Sequence, residues 1–253
     1  MIIDGHTHIS TDKPTAKSAS ILLESMREAG VVKSVVLPIP GKVSNKAISG
    51  LCSAHLDKLI GFGWGNPNEG ARGAKKTLCE LETLSLQGLK LHPRIQGFDF
   101  KDRHVIEFFK ELDKHKELVI IMDCWFSDKD DAACKEMMNF VASMKKTKII
   151  LAHAGGFQYN KIIPFASKKN IFLDISYTLH AFEKHSKIDN LKGFMVSLKK
   201  IPSSKIIFGS DFPECDILES IKLSKKWLMS GGFDSEELDR IYVKNIKRVL
   251  DIR

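Results

Sequence analysis

The sequence has no apolar run approaching the roughly 18 residues needed to span a bilayer, so membrane insertion is not expected. It opens MIIDGHTH, with no basic stretch leading into an apolar one, so no secretory signal is expected either. Its cysteines (Cys52, Cys79, Cys124, Cys134 and Cys215) are odd in number, scattered, and contain no CxxC pair. That excludes a disulfide framework and a zinc knuckle, and suits a reducing cytoplasmic compartment. There is no long basic run, although 39 Lys and Arg against 31 Asp and Glu give a net charge of +8. The basic residues are mostly lysines, with pairs such as 75–76, 145–146 and 225–226 at or near the ends of expected helices, where cations suit the helix dipole. No aromatic residues interleave with them as a nucleic-acid surface would need, so no nucleic-acid partner is expected.

What is present is ordinary globular material: 253 residues, 43% hydrophobic and 28% charged. Short β-branched runs at 1–4, 34–37, 58–63, 87–92, 118–122, 148–152, 171–175 and 205–208 alternate with amphipathic stretches. The latter fall near 17–29, 45–57, 71–84, 103–114, 131–144, 161–168, 191–198 and 217–229. Several of the runs are almost wholly apolar (VIIM, KIIL, KIIF), as strands covered on both faces are. A terminal helix over 235–250 starts with Asp234 as N-cap and Glu237 three residues on, a capping box. Eight strand–helix units in about 250 residues predict an α/β fold, a (β/α)₈ or TIM barrel, with an extra C-terminal helix and one domain over 1–253. An open doubly wound sheet would carry a Gly-rich phosphate turn after its first strand, where this chain has HTH.

Chemistry in such a barrel sits at the C-terminal ends of the strands. Here those ends read DGHTH (4–8), GLKLHPR (88–94), MDCW (122–125), AHAGG (152–156), DISY (174–177) and GSDFP (209–213). His6 and His8, two apart on an extended backbone, point the same way. Two imidazoles and a carboxylate can bind one divalent metal and leave a position for water. Asp211 can ligate or act as general base, and His153 can be acid, base or a further ligand. Lys90, His92 and Arg94 supply positive charge for an anionic substrate or a developing oxyanion.

Those motifs, in that order, resemble the amidohydrolase superfamily, and within it the amidohydrolase-related branch of TIM-barrel metal-dependent hydrolases and non-redox decarboxylases. The resemblance covers essentially the whole chain. It implies that His6, His8 and Asp211 bind one metal ion, zinc first and manganese second, and that His153 is catalytic or close to the metal. One departure stands out. Relatives commonly end the fifth strand with a metal-binding His, where this chain has Asp123. Asp123 then either completes a His-His-Asp-Asp site or orients another ligand. The expected activity is hydrolysis of a small carboxylate-bearing molecule by metal-activated water, catalysed by Asp211 and His153, with Lys90, His92 and Arg94 binding substrate. The alternative is non-redox decarboxylation at the same site. A metal-dependent DNase is less favoured because residues 88–93 read GLKLHP rather than a Glu-containing segment, and a non-catalytic binding protein is favoured only by Asp123. A homodimer is compatible with the sequence.

Overall fold

A computed structural model describes residues 1–9 and 15–252. Eight strands occur in the expected order: β1 Ile2–His8, β2 Val31–Leu37, β3 Leu59–Gly61, β4 Leu89–Leu91, β5 Val119–Asp123, β6 Lys148–Ala152, β7 Ile171–Asp174 and β8 Ile206–Ile207. Every paired strand is parallel. β1–β3 and β4–β8 form two ladders, and backbone hydrogen bonds join them at both seams. Between β3 and β4, Gly63 N–H donates to Gly88 O at 2.9 Å and Lys90 N–H to Gly63 O at 2.7 Å. Between β8 and β1, Gly5 N–H donates to Phe208 O, and Asp211 N–H to His6 O, both at 2.9 Å. The result is a TIM barrel. Gly5 is required at its seam, since a Cβ there would stand 2.8 Å from Ile207 Cγ2 and 2.9 Å from Phe208 O.

The helices are α1 Thr15–Ala29, α2 Asn45–Ser53, α3 Gly70–Thr83, α4 Pro93–Gln96, α5 Arg103–Leu112, α6 Asp131–Ser143, α7 Tyr159–Ile162, α8 Thr178–Lys184, α9 Ile188–Lys199, α10 Ile217–Ser230, α11 Ser235–Asp239 and α12 Asn245–Leu250. Strand residues such as Ile120, Ile121, Ile149, Leu151 and Leu173 are buried between barrel interior and helices, which is why those strands read as continuous apolar runs. Among the described residues no helix is long and apolar enough to cross a membrane.

Several boundaries differ from the sequence reading. β1 does not stop at residue 4 but runs on through His8, because register shifts on either side of residues 3–4 let the bulged strand keep pairing with β2. The expected helix at 161–168 is α7 followed by a 3₁₀ turn, Ile163–Ser167, tightened where Pro164 lacks an N–H. The segment before α9, read without an element, contains α8. The terminal helix keeps its capping box at Asp234 and Glu237 but passes through a π turn, Arg240–Lys244, between α11 and α12.

Candidate active site

β1 carries His6 and His8 into the barrel mouth, and Asp211 follows β8 across the seam. His6 Nε2 lies 3.2 Å from His8 Nε2 and 3.3 Å from Asp211 Oδ1, and His8 Nε2 lies 3.5 Å from the same oxygen. Ligands at zinc distances of 2.0–2.2 Å in a tetrahedron stand about 3.3 Å apart, so the triangle has the dimensions of one face of such a site. The second nitrogen of each imidazole is already committed. His6 Nδ1–H donates to Asp174 Oδ2 at 2.8 Å and His8 Nδ1–H to Leu37 O at 2.9 Å. Both lone pairs at Nε2 therefore face the triangle, the arrangement in which imidazoles bind metal. Burial and the Lys90 charge hold His6 at about 4, against the opposing pull of Asp174 and Asp211, so its ring is neutral and free to ligate near pH 7. Burial works against the Asp211 carboxylate, but His8, His153 and His6 outweigh it and hold the group at about 2.

His153 follows β6 in a left-handed conformation at φ 61°, and Asp211 does the same at φ 67°. Non-glycine residues held there store backbone strain, which gathers at functional sites. Ligand atoms of His6, His153 and Asp211 lie within 4.8 Å of one another, which brings His153 beside the triangle of His6, His8 and Asp211. Its own bonds point elsewhere. Nδ1–H donates to Ser176 O at 3.0 Å, and Nε2 faces Asp123 Oδ2 at 3.2 Å. With an acceptor at each nitrogen, the ring is built to hold two protons. Burial opposes that charge, yet the Asp123 hydrogen bond and the Asp211 and Asp174 charges raise His153 to about 9.

Asp123, at the end of β5, gathers positive partners. Oδ2 also lies 3.5 Å from His92 Nε2, and Oδ1 accepts from Arg94 Nη2 at 3.3 Å. Despite full burial, the His153 hydrogen bond and the charges of His153, His92 and Lys90 hold its carboxyl far below the usual range. His92 has the opposite tautomer to His6 and His8: its Nδ1 caps α4 by accepting Ile95 N–H at 3.4 Å, so Nε2 carries the proton toward Asp123. Lys90, buried on β4, ends 3.3 Å from His6 Nε2. His8, Lys90, His92, Asp123, His153 and Asp211 line a pocket of about 320 Å³, with His6 buried behind them. Arg94 does not: its half-exposed side chain turns aside, over a neighbouring cavity.

The sequence reading assigned no role to three buried residues that organise this centre. Asp174 accepts from His6 with one oxygen, and with the other from the backbone N–H of His153 (3.2 Å) and Ser176 (2.9 Å). Ser176 Oγ also donates to that second oxygen and lies 3.1 Å from both His6 Nδ1 and His153 Nδ1. Asp4 Oδ1 accepts from His6 N–H (3.1 Å) and Ser210 N–H (2.9 Å), tying β1 to the strand end before Asp211. Burial pushes the Asp4 carboxyl up to about 7. The only available signal was position, since Asp174 ends a strand and Asp4 opens the HTH motif. Cys124 and Cys215, also near strand ends, are buried, and burial pushes the Cys215 thiol up to about 12, far from a thiolate nucleophile.

Comparison with known proteins now decides the family. The amidohydrolase family model matches residues 3–252. The chain belongs to the amidohydrolase family. Its fold is similar to an uncharacterized TIM-barrel protein from Bordetella bronchiseptica, at 17% identity, TM-score 0.76, and 99% and 98% coverage of the two chains. It is also similar to a probable 2-pyrone-4,6-dicarboxylic acid hydrolase from Acinetobacter baumannii with citric acid bound, at 15% identity, TM-score 0.66, and 99% coverage of each chain. A third is 5-carboxyvanillate decarboxylase from Sphingomonas paucimobilis, at 12% identity, TM-score 0.66, and 100% and 99% coverage. No curated protein sequence matches the chain. As an amidohydrolase-family member it is an enzyme, and the family is typically metal-dependent.

Proposed function

We propose that the protein is a cytoplasmic, one-domain hydrolase that uses a single divalent metal, zinc before manganese, on an ester, lactone or amide of a small carboxylate-bearing molecule. The observation that carries the reading is the triangle of His6 Nε2, His8 Nε2 and Asp211 Oδ1 at 3.2–3.5 Å, with both imidazoles locked by their Nδ1–H bonds. The donor set is nitrogen and oxygen, as zinc and manganese accept. His6, His8 and Asp211 would hold the ion, which when bound supplies polarisation of a carbonyl oxygen and a more acidic water. Asp211 takes the proton of the attacking water. His153 Nε2, shared with Asp123, gives a proton to the departing group. Lys90 Nζ, fixed beside His6, offsets negative charge developing in the pocket. Asp123 is read as the partner of His153 rather than as a metal ligand, because its oxygens already face His153, His92 and Arg94.

Decarboxylation remains a second reading on one observation: a doubly protonated His153 is placed to supply the proton that replaces carbon dioxide. One of the similar folds is named a decarboxylase and another a hydrolase, so the two reactions are tested together. Elemental analysis should find about one zinc or manganese per chain, lost in His6→Ala/His8→Ala. Metal-loaded protein is then screened against lactones, esters and carboxylic acids, reading acid release against carbon dioxide release. Protein that binds neither metal, even when supplied in excess, would remove the catalytic reading.

A further inference from the structure

A second cavity, of about 500 Å³, opens beside the metal pocket and shares Asp123 with it. Its walls are apolar: Phe98, Phe100, Trp125, Phe126 and Met137, with Pro93, Ala132 and Ala133 at the edge. Phe98, Phe100 and Phe126 are at most 9% exposed. Phe98 packs against Phe100 with ring centroids 5.3 Å apart, and Phe100 against Phe140 at 5.0 Å, so the wall is preformed. The carboxylates on the rim have partners already. Asp99 accepts Lys101 N–H at 2.8 Å, Asp130 accepts Ser127 N–H at 2.7 Å, and Glu136 pairs with Lys101. Arg94 stands at the boundary between the cavities, with a single 3.3 Å bond to Asp123.

A volume of this size, walled by aromatic rings with one guanidinium at its mouth, suits part of an organic ligand. We propose that the chamber receives an arylalkyl arm of the substrate, whose oxygen-bearing end lies in the metal pocket, with Arg94 holding the ligand where the two compartments meet. The substrate is then an extended amphiphilic acid rather than a compact one. A compact acid would fill the 320 Å³ pocket and leave the aromatic wall uncovered. This inference rests on the proposed hydrolase reading for the placement of the reacting end, but not for the chamber itself.

The test is calorimetric titration of the zinc-loaded and zinc-free protein with benzoate, phenylacetate, 3-phenylpropanoate and 4-phenylbutanoate. Affinity should climb about fourfold for each methylene that carries the ring deeper. Ala133→Trp, on the exposed side of α6, should cut 4-phenylbutanoate binding at least tenfold and flatten the series, with benzoate and zinc affinity unchanged; Ala132→Trp serves as an independent plug. A flat series in the parent, or a slope that survives both plugs, overturns the proposal. Metal affinity, measured separately by dialysis, reports on the hydrolase reading, so a protein that takes up neither zinc nor manganese yet keeps the slope would sink that reading and leave the chamber standing.

Discussion

Asp174→Asn isolates how the centre is held together. The wild-type carboxyl is fully buried, and although burial opposes its charge, His6, His153 and Ser176 hold it ionised, well below the usual range. One oxygen accepts two backbone N–H groups, from His153 and Ser176, and the other accepts His6 Nδ1–H at 2.8 Å. An Asn has one oxygen and one NH₂ for these two positions. Turning the NH₂ toward the backbone would leave two buried N–H groups facing donors, at about 1–3 kcal/mol for each unmet group. Turning it toward His6 sets it against a single imidazole N–H, which can move its proton to the other nitrogen. The second arrangement wins. The proton then sits on Nε2, where the metal lone pair should be.

Loss of such an orienting partner typically weakens metal binding by about 10–100-fold, or about 1.4–2.7 kcal/mol. The assay is zinc competition against a fluorescent chelator, beside a thermal melt to show that the variant is folded. Nitrogen chemical shifts of a labelled His6 should report the proton moving from Nδ1 to Nε2. A folded Asp174→Asn protein that binds zinc as tightly as its parent would refute the reasoning.

Two further outcomes follow from the same geometry. In Gly209→Ala, the new Cβ would lie 2.6 Å from His6 Cβ and 3.1 Å from Ser176 Cβ; stability should fall by about 1–3 kcal/mol and zinc affinity with it, as read by urea denaturation and chelator competition, and an unchanged protein would show that the seam can yield. In zinc-free protein, His153 is raised from an ordinary value near 6.5 to about 9, so its contribution, of about 3 kcal/mol, is fully present below pH 6.5 and lost as pH rises through 9. Denaturation series from pH 6 to 10 should show that loss in the parent and not in Asp123→Asn, and parallel curves would refute the pairing.

The barrel was legible in the sequence because its signal is local: apolar runs of strand length, separated by amphipathic stretches of helix length. The strand-end residues were legible for the same reason, since a residue's position in its own repeat shows which end of the barrel it occupies. What could not be read were side-chain pairings between distant strands. His6 and Asp174 lie 168 residues apart, and Asp4 and Ser210 lie 206 apart. The direction of Arg94 was also out of reach: spacing put it near a substrate, but its guanidinium bonds Asp123 and lines the aromatic chamber.

Asp123 is better understood from its neighbours than from the His expected in its place. Lys90, Arg94, His92 and a doubly protonated His153 surround that strand end. A histidine there would remove the carboxylate that stands 3.2 Å from His153 Nε2 and leave that buried cation without its direct partner. An aspartate puts one anion at the centre of that cluster and holds His153 charged, so the proposed function divides the centre into two halves with different work. In that proposal His6, His8 and Asp211 hold the metal with imidazoles that stay neutral, while His153 and Asp123 share a proton on an imidazole that stays charged. Asp174 joins them, receiving the ring N–H of His6 on one oxygen and the backbone N–H of His153 on the other. The two halves thus share one carboxylate, at a β7 strand end whose polar character the sequence shows and whose partners it does not.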